Sequence, residues 1–212
     1  MPTPRTRFRR SPARGTHDRE VIDAVLDAAQ IVHAGIVDDG QPFVLPTLHA
    51  RVGDDVLLHG STASRVFKAM ASGAPICLTA TLVDGIVLAR SVFHHSMNYR
   101  SVMLLGTGEA VIDEDAKLDA LKAFTEKLAP GRWDAVRPPT RQEMKGTLVV
   151  RMAIDEASAK TRDGGPGDDE EDYALDVWAG HVPYTQVSGD PVPDERLRAG
   201  TPVPDHVRAL LG

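Results

Sequence analysis

A chain of 212 residues can bury one sizeable core with appendages, and a formal charge of −6, from 24 Lys and Arg against 30 Asp and Glu, gives it no overall attraction for nucleic acid. Cys77 is the only cysteine, which excludes an internal disulfide and a thiolate metal cluster. No apolar run is long enough to cross a bilayer, so no membrane partner and a cytoplasmic address are expected.

The charge is unevenly placed. Residues 1–17 carry Arg5, Arg7, Arg9, Arg10 and Arg14 with no acid, whereas 163–172 (DGGPGDDEED) hold six acids. Residues 1–16 therefore read as a flexible basic arm able to drape over a partner, 17–184 as one domain and 185–212 as a wrapping tail. The arm lacks the apolar run of a secretory signal.

In chain order, Val21, Ile22, Val25, Leu26 and Ala29 recur at helical spacing behind Asp18 and Glu20, which predicts a surface helix. IVHAGIV (31–37), FVLPTLHARV (43–52) and VLLHG (56–60) predict three antiparallel strands joined by tight turns. Pro46 cannot donate a ladder hydrogen bond, so strand pairing should open around it and leave a gap that a ligand can use.

The strand VLLHG then passes through Ser61 and Thr62 into a helix over 64–72 that stops at Gly73 with Pro75 behind. Free N–H groups at such a turn suit a phosphate, and Arg65 and Lys68 share a helix face beside it. Ser64 as a plain N-cap and the two cations as a solvated face is the competing reading.

Next, ICLTATLV and IVLARSVF flank Asp84-Gly85, which predicts a hairpin with a type I′ turn, Thr79 opposite Arg90, and Thr79, Thr81, Leu88 and Arg90 on one face. YRSVMLLGTGEAVI (99–112) predicts a long strand bent at Gly106 and Gly108. Residues 115–128 predict an amphipathic helix, and GTLVVRMAI (146–154) a sixth strand. From Lys160 onward the chain reads as loop-rich, the acidic run as solvated, and VWAGHVPY (177–184) as a return to the body. The expected fold is mainly β: a six-stranded antiparallel barrel with flanking α-helices.

These pieces, in order RGTHDREVIDAVLDAA, FVLPTLHA, LLHGSTASRVFKAM, DGIVLARSVFHHSMNYRSVMLLGTGEAV, PGRW with RPPT, and EASAKTRDGGPGDDEEDYALDVWAGHVP, resemble the FMN-binding Greek-key split barrels of the pyridoxamine 5′-phosphate oxidase type. The branch they resemble contains the nitroimidazole-resistance reductases, and the match spans residues 14–184.

The resemblance implies FMN at the interface of a homodimer. It implies that Pro46, Thr47 and Leu48 meet the isoalloxazine edge, that His59, Gly60 and Ser61 lie beside the ring and ribityl chain, and that Ser64 and Arg65 grip the phosphate. Val66 stands where a Lys is frequent, a charge Lys68 would replace. Arg100 and Ser101 fall where the oxidases carry Arg-Gln, and Thr79 joins them on the barrel wall. The C-terminal Trp and Arg pattern that recognises pyridoxamine phosphate is missing, since Trp178 lies in VWAGHVP, so vitamin B6 oxidation is not expected.

Adjacent His94 and His95 point to opposite sides of an extended segment and have no third ligand at metal spacing, so no metal site is expected there. The functional expectation is an FMN-dependent oxidoreductase that takes electrons from NAD(P)H and reduces a small nitroaromatic or quinone. A non-catalytic flavin-binding sensor, whose basic arm contacts a partner, is one alternative. A heme-binding or heme-degrading barrel with His59, His94 or His95 as ligand is another, and FAD or deazaflavin in place of FMN also stays open.

Overall fold

The computed structural model describes residues 3–211; Met1 and Pro2 of the basic arm and Gly212 of the tail lie outside the described residues. The strands are β1 (Gly15–Thr16), β2 (Ile31–Asp38), β3 (Gln41–Val52), β4 (Asp55–Ser61), β5 (Pro75–Leu88), β6 (Ser96–Thr107), β7 (Glu109–Ala110), β8 (Thr147–Ala153), β9 (Glu156–Arg162) and β10 (Gly180–Pro183). The helices are α1 (Arg19–Ala28), α2 (Arg65–Ala71), α3 (Glu114–Leu128), α4 (Arg141–Gly146) and α5 (Asp205–Arg208).

All ladders are antiparallel, in the order β1-β9-β6-β5-β2-β3-β4-β8-β7, with β10 added to β5. Because β7 continues β6 past Gly108 and pairs with β8, the sheet curls back on itself. Its staves are β5, β2, β3, β4, β8 and the β6–β7 pair, the six-stranded split barrel expected.

Alternation decides which side chains fill it. Val32, Ala34 and Ile36 of β2, Val56 and Leu58 of β4, Ile76, Leu78 and Ala80 of β5, and Val102 and Leu104 of β6 point inward. The barrel ends are closed by Ile22, Val25 and Leu26 of α1 and by Val66, Phe67 and Met70 of α2. Both helices are capped at their N-termini, the second on the Ser64 that the sequence offers: the Asp18 carboxylate accepts from Glu20 N–H and the Ser64 hydroxyl from Phe67 N–H. Outside the barrel, Ala120 and Phe124 of α3 pack on Ala50, Leu57 and Val149.

Several expectations need correction. Asp84-Gly85 makes no hairpin. Residues 75–88 form one strand with a bulge between Val83 and Gly85, because β6 pairs with both halves on one side while β10 pairs with Gly85–Leu88 on the other. A Cβ on Gly85 would lie 2.5 Å from the Val182 carbonyl oxygen, so the glycine serves the close approach of β10 rather than a turn. Thr79 consequently pairs with His33 and Met103 and is not opposite Arg90.

Lys160 and Arg162 belong to β9, a strand of its own rather than the start of a loop. Within the acidic run, Asp168 is not solvated: its carboxylate accepts from Arg90 backbone N–H and Nη1, both at 3.0 Å, and its side chain is fully buried.

The basic arm packs on its own chain. Arg5 and Thr3 donate to the Glu156 carboxylate, Thr6 is buried, Lys160 Nζ donates to the Arg10 carbonyl at 2.9 Å, and Gly15 and Thr16 pair with Lys160 and Ala159. Among the described residues no helix is long and apolar enough to cross a membrane.

Candidate functional site

The site begins with a seam that does not close. β3 pairs with β2 from Gln41 to Leu48, but with β4 only from His49 onward, where His49 faces Leu58. The β3 edge that carries Pro46, Thr47 and Leu48 therefore has no partner strand on its β4 side, and the end of β4 at His59, Gly60 and Ser61 pairs only with β8. This is the opening that Pro46 predicts: without an N–H it has no donor to offer a strand on that side. The exposed backbone groups of such an edge can hydrogen-bond a flat heterocycle.

On the outer side of the seam, Leu48 and His59 line a cavity of about 470 Å³ walled by Leu121, Phe124, Trp133 and Val136. The His59 ring stands edge-on to Phe124, with centroids 4.4 Å apart. Among the described residues neither imidazole nitrogen of His59 has a hydrogen-bond partner, and burial lowers its pKa, which favours the neutral ring at the edge of this space.

At the mouth, Arg137 donates to both Glu143 oxygens at 2.9 and 2.6 Å, and the same carboxylate accepts from Thr140 N–H at 2.7 Å in a capping box. The Arg137 guanidinium, with Thr140 N–H, pushes Glu143 down to about 2. No site motif in the sequence marks the aromatic wall; its signal is the PGRW and RPPT segments that carry Trp133 and Arg137.

Beyond the seam lies α2. Ser64 caps it, and Lys68 is exposed with no ion-pair partner among the described residues. Arg65 is 66% exposed at its side chain, pairs with Asp38 at 3.0 Å and lies over Phe43. The Ser61 hydroxyl accepts from Ala63 N–H at 3.1 Å. The cations expected for a phosphate are thus at the turn, one of them partly neutralised.

Thr79, Arg100 and Ser101 are elsewhere in this chain. Pro46 faces His33 and His33 faces Thr79, so Thr79 lies two strands away on the outer face, and Ser101 follows on β6 opposite Thr81. Arg100 points to the other face from Ser101 and donates to Asp84 at 2.9 and 2.7 Å, which lowers the Asp84 pKa. His94 reaches Asp169 at 3.3 Å, and His95 Nδ1 lies 2.8 Å from the Ser91 carbonyl. Among the described residues no cluster of three or more His, Cys, Asp or Glu could hold a metal ion through protein ligands alone.

The sequence model of the pyridoxamine 5′-phosphate oxidase family matches residues 18–161. None of the curated proteins matches. Among solved structures, the flavocytochrome Anf3 from Azotobacter vinelandii is 43% identical over 99% of this chain and 98% of its own, with a TM-score of 0.93. The FAD and heme binding protein from Mycobacterium smegmatis is 41% identical over 94% of this chain and 98% of its own, with a TM-score of 0.90. A candidate 5-nitroimidazole antibiotic resistance protein from Bacteroides thetaiotaomicron, 21% identical over 69% of this chain and 85% of its own at a TM-score of 0.59, shares the fold. With its split barrel, its open β3 edge and these matches, the chain belongs to the pyridoxamine 5′-phosphate oxidase family.

Proposed function

We propose that this chain is a flavin- and heme-binding redox protein. The observation that carries the proposal is the neutral, unpartnered His59 at an apolar cavity of about 470 Å³ beside an unpaired strand edge. A heme macrocycle needs an apolar slot and a neutral imidazole. A flavin needs an edge of backbone donors and acceptors together with cations for its phosphate. The seam offers both sets side by side, and two structures above 40% identity are named for a flavin and a heme together.

In this reading Pro46, Thr47 and Leu48 hold the isoalloxazine edge, Gly60 and Ser61 flank it, and Ser64, Arg65 and Lys68 hold the phosphate. His59 moves from tuning the flavin to ligating the iron. Thr79 and Ser101 lie too far around the barrel to join the same ring within one chain, so a homodimer would bring them to the partner's flavin. The outer face offers apolar surface for that contact, with Ile31, Val37 and Val44 exposed at 49, 61 and 64%. The tail adds Trp178 and Tyr184, exposed at 66 and 52%.

A flavin accepts one hydride, two electrons at once, and a heme iron single electrons, so the two together would couple NAD(P)H to a small oxidised acceptor of nitroaromatic or quinone type. The test is the absorbance spectrum of the purified protein with mass spectrometry of what denaturation releases, followed by sedimentation. A flavin envelope with a Soret band on a dimer is expected. A colourless protein would overturn the reading, and a flavin spectrum without a Soret band would overturn its heme half.

A further inference from the structure

A second polar group, none of whose members lines the His59 cavity, lies where the C-terminal ends of α1 and α3 meet β3. Lys127 Nζ donates to the Leu26 carbonyl oxygen at 2.8 Å and stands 3.1 Å from Nε2 of the fully buried His49. That Nε2 is itself 2.8 Å from the same oxygen. The Lys127 side chain is half-buried and lines a cavity of about 440 Å³ walled by Ala50, Ala123 and Pro130.

The three contacts place the proton on His49. With Nε2 bare, its lone pair would face the Leu26 oxygen at 2.8 Å, acceptor against acceptor, so the hydrogen-bond pattern assigns the proton to Nε2, which donates it to that carbonyl. An ammonium at Lys127 then presses a donor against a donor across 3.1 Å, whereas an amine turns its lone pair to the same N–H. The triangle is satisfied by the amine.

The charged groups around Lys127 supply no counter-ion. Asp27 on α1 is held by Arg51 Nε and Nη2 of β3 at 2.8 and 2.6 Å. Glu126, on α3 itself, accepts from Gly131 and Trp133 N–H at 2.6 and 3.0 Å. Lys127 has no ion-pair partner among the described residues, and Arg51 shares its cavity. Burial lowers Lys127 to about 8, with Asp27 opposing the shift and Arg51 adding to it. A lysine taken out of water beside a second cation is the arrangement that makes an amine nucleophilic near neutral pH.

We propose that Lys127 is a site of covalent modification, at which the amine takes an acyl group from a small acyl phosphate. Nζ attacks the carbonyl carbon and an N–C bond forms. The C–O bond to phosphate breaks, phosphate leaves with the bonding pair, and the surplus amine proton passes to solvent. The resulting amide keeps one N–H for the Leu26 carbonyl, ends the burial of a charge and lays a short acyl chain against Ala50, Ala123 and Pro130. Arg51, at the same cavity, gives the phosphate of the donor a cation to approach. The site uses none of the residues assigned to the flavin or the heme and stands without either.

The experiment incubates the folded, full-length wild type with acetyl phosphate over a series of pH values and follows acetylation of each lysine by peptide mass spectrometry. Lys122, exposed on the same helix, is the reference. At pH 8 about half of the Lys127 side chains are free amines, against roughly one in 250 for an ordinary lysine. Lys127 is therefore expected to react about tenfold or more faster than Lys122 at that pH. Its rate should level off above pH 8 while that of Lys122 keeps rising, a profile that a merely structural lysine would not show. A Lys127 rate no greater than that of Lys122 at pH 8 overturns the proposal, as does acetylation of Lys127 only after denaturation.

Discussion

Arg65 Nε stands 3.0 Å from the Asp38 carboxylate, while its guanidinium carbon lies 4.5 Å from the centroid of the Phe43 ring. The cation best placed for a flavin phosphate is thus already shared with the acid that ends β2. A phosphate arriving at the Ser64 turn must compete with Asp38 for it. Arg65 is also largely exposed, so solvent screens the gain. Arg65→Ala is expected to weaken flavin binding by roughly fivefold, about 1 kcal/mol, and Asp38→Asn to strengthen it modestly. Fluorescence titration of flavin into the two variants checks both directions. An unchanged affinity in Arg65→Ala would remove the phosphate from α2.

His59 gives the sharper spectral test. Its ring touches Phe124 and makes no hydrogen bond, so replacing it leaves no buried polar partner behind. His59→Ala is expected to abolish the Soret band and to keep the flavin envelope, because the β3 edge and the α2 cations are untouched. Added imidazole can enter the vacated volume and is expected to restore part of the Soret absorbance. A Soret band that survives in His59→Ala would pass the iron to another residue, with His94 and His95 next in line.

Much of this architecture was legible from alternation and punctuation. Strands 31–37, 43–52 and 56–60, the Ser64 cap and the gap at Pro46 all follow from local chemistry, and each appears where local chemistry puts it. The failures are places where a distant segment decides. Asp84-Gly85 has the composition of a tight turn, yet β6 and β10 pair along it from both sides and hold it extended, which no nearby residue announces. Strand β9 reads as loop because Lys160 and Arg162 break its apolar alternation, although Ser101 and Tyr99 of β6 pair with them. The aromatic wall around His59 comes from α3 and the Trp133 turn, and its convergence on β4 is a tertiary fact.

A second buried histidine makes a prediction about stability. His49 is fully buried, with Nε2 2.8 Å from the Leu26 carbonyl oxygen and 3.1 Å from Lys127 Nζ, while Nδ1 has no partner. Burial, with the Lys127 charge second, lowers His49 to about 4 from an ordinary 6.5. The unfolded chain therefore takes up a proton between pH 6.5 and 4 that the folded chain refuses. The His49 contribution is complete above pH 6.5 and is lost as the pH falls toward 4. In urea unfolding at pH 7.5 and pH 5, the loss of stability should be smaller in His49→Gln than in wild type by about 1–2 kcal/mol. Equal losses in the two proteins would mean that His49 titrates normally.

Gly60 tests the packing that joins the seam to α2. A Cβ built on Gly60 would stand 2.5 Å from the Phe67 ring, and Phe67 is 8% exposed at the end of the barrel core. The last residues of β4 thus pass directly over the first buried aromatic of the helix that carries Ser64 and Arg65. Adding one methyl must push either the strand or the ring, and overpacking of this kind costs about 1–3 kcal/mol. Gly60→Ala is expected to lower stability in that range and to weaken flavin binding as the turn shifts. Phe67→Leu, destabilising by itself, should absorb the methyl, so the double variant should be more stable than the two single losses added together. Strict additivity in urea unfolding would show that Gly60 is required for a reason other than the ring beneath it.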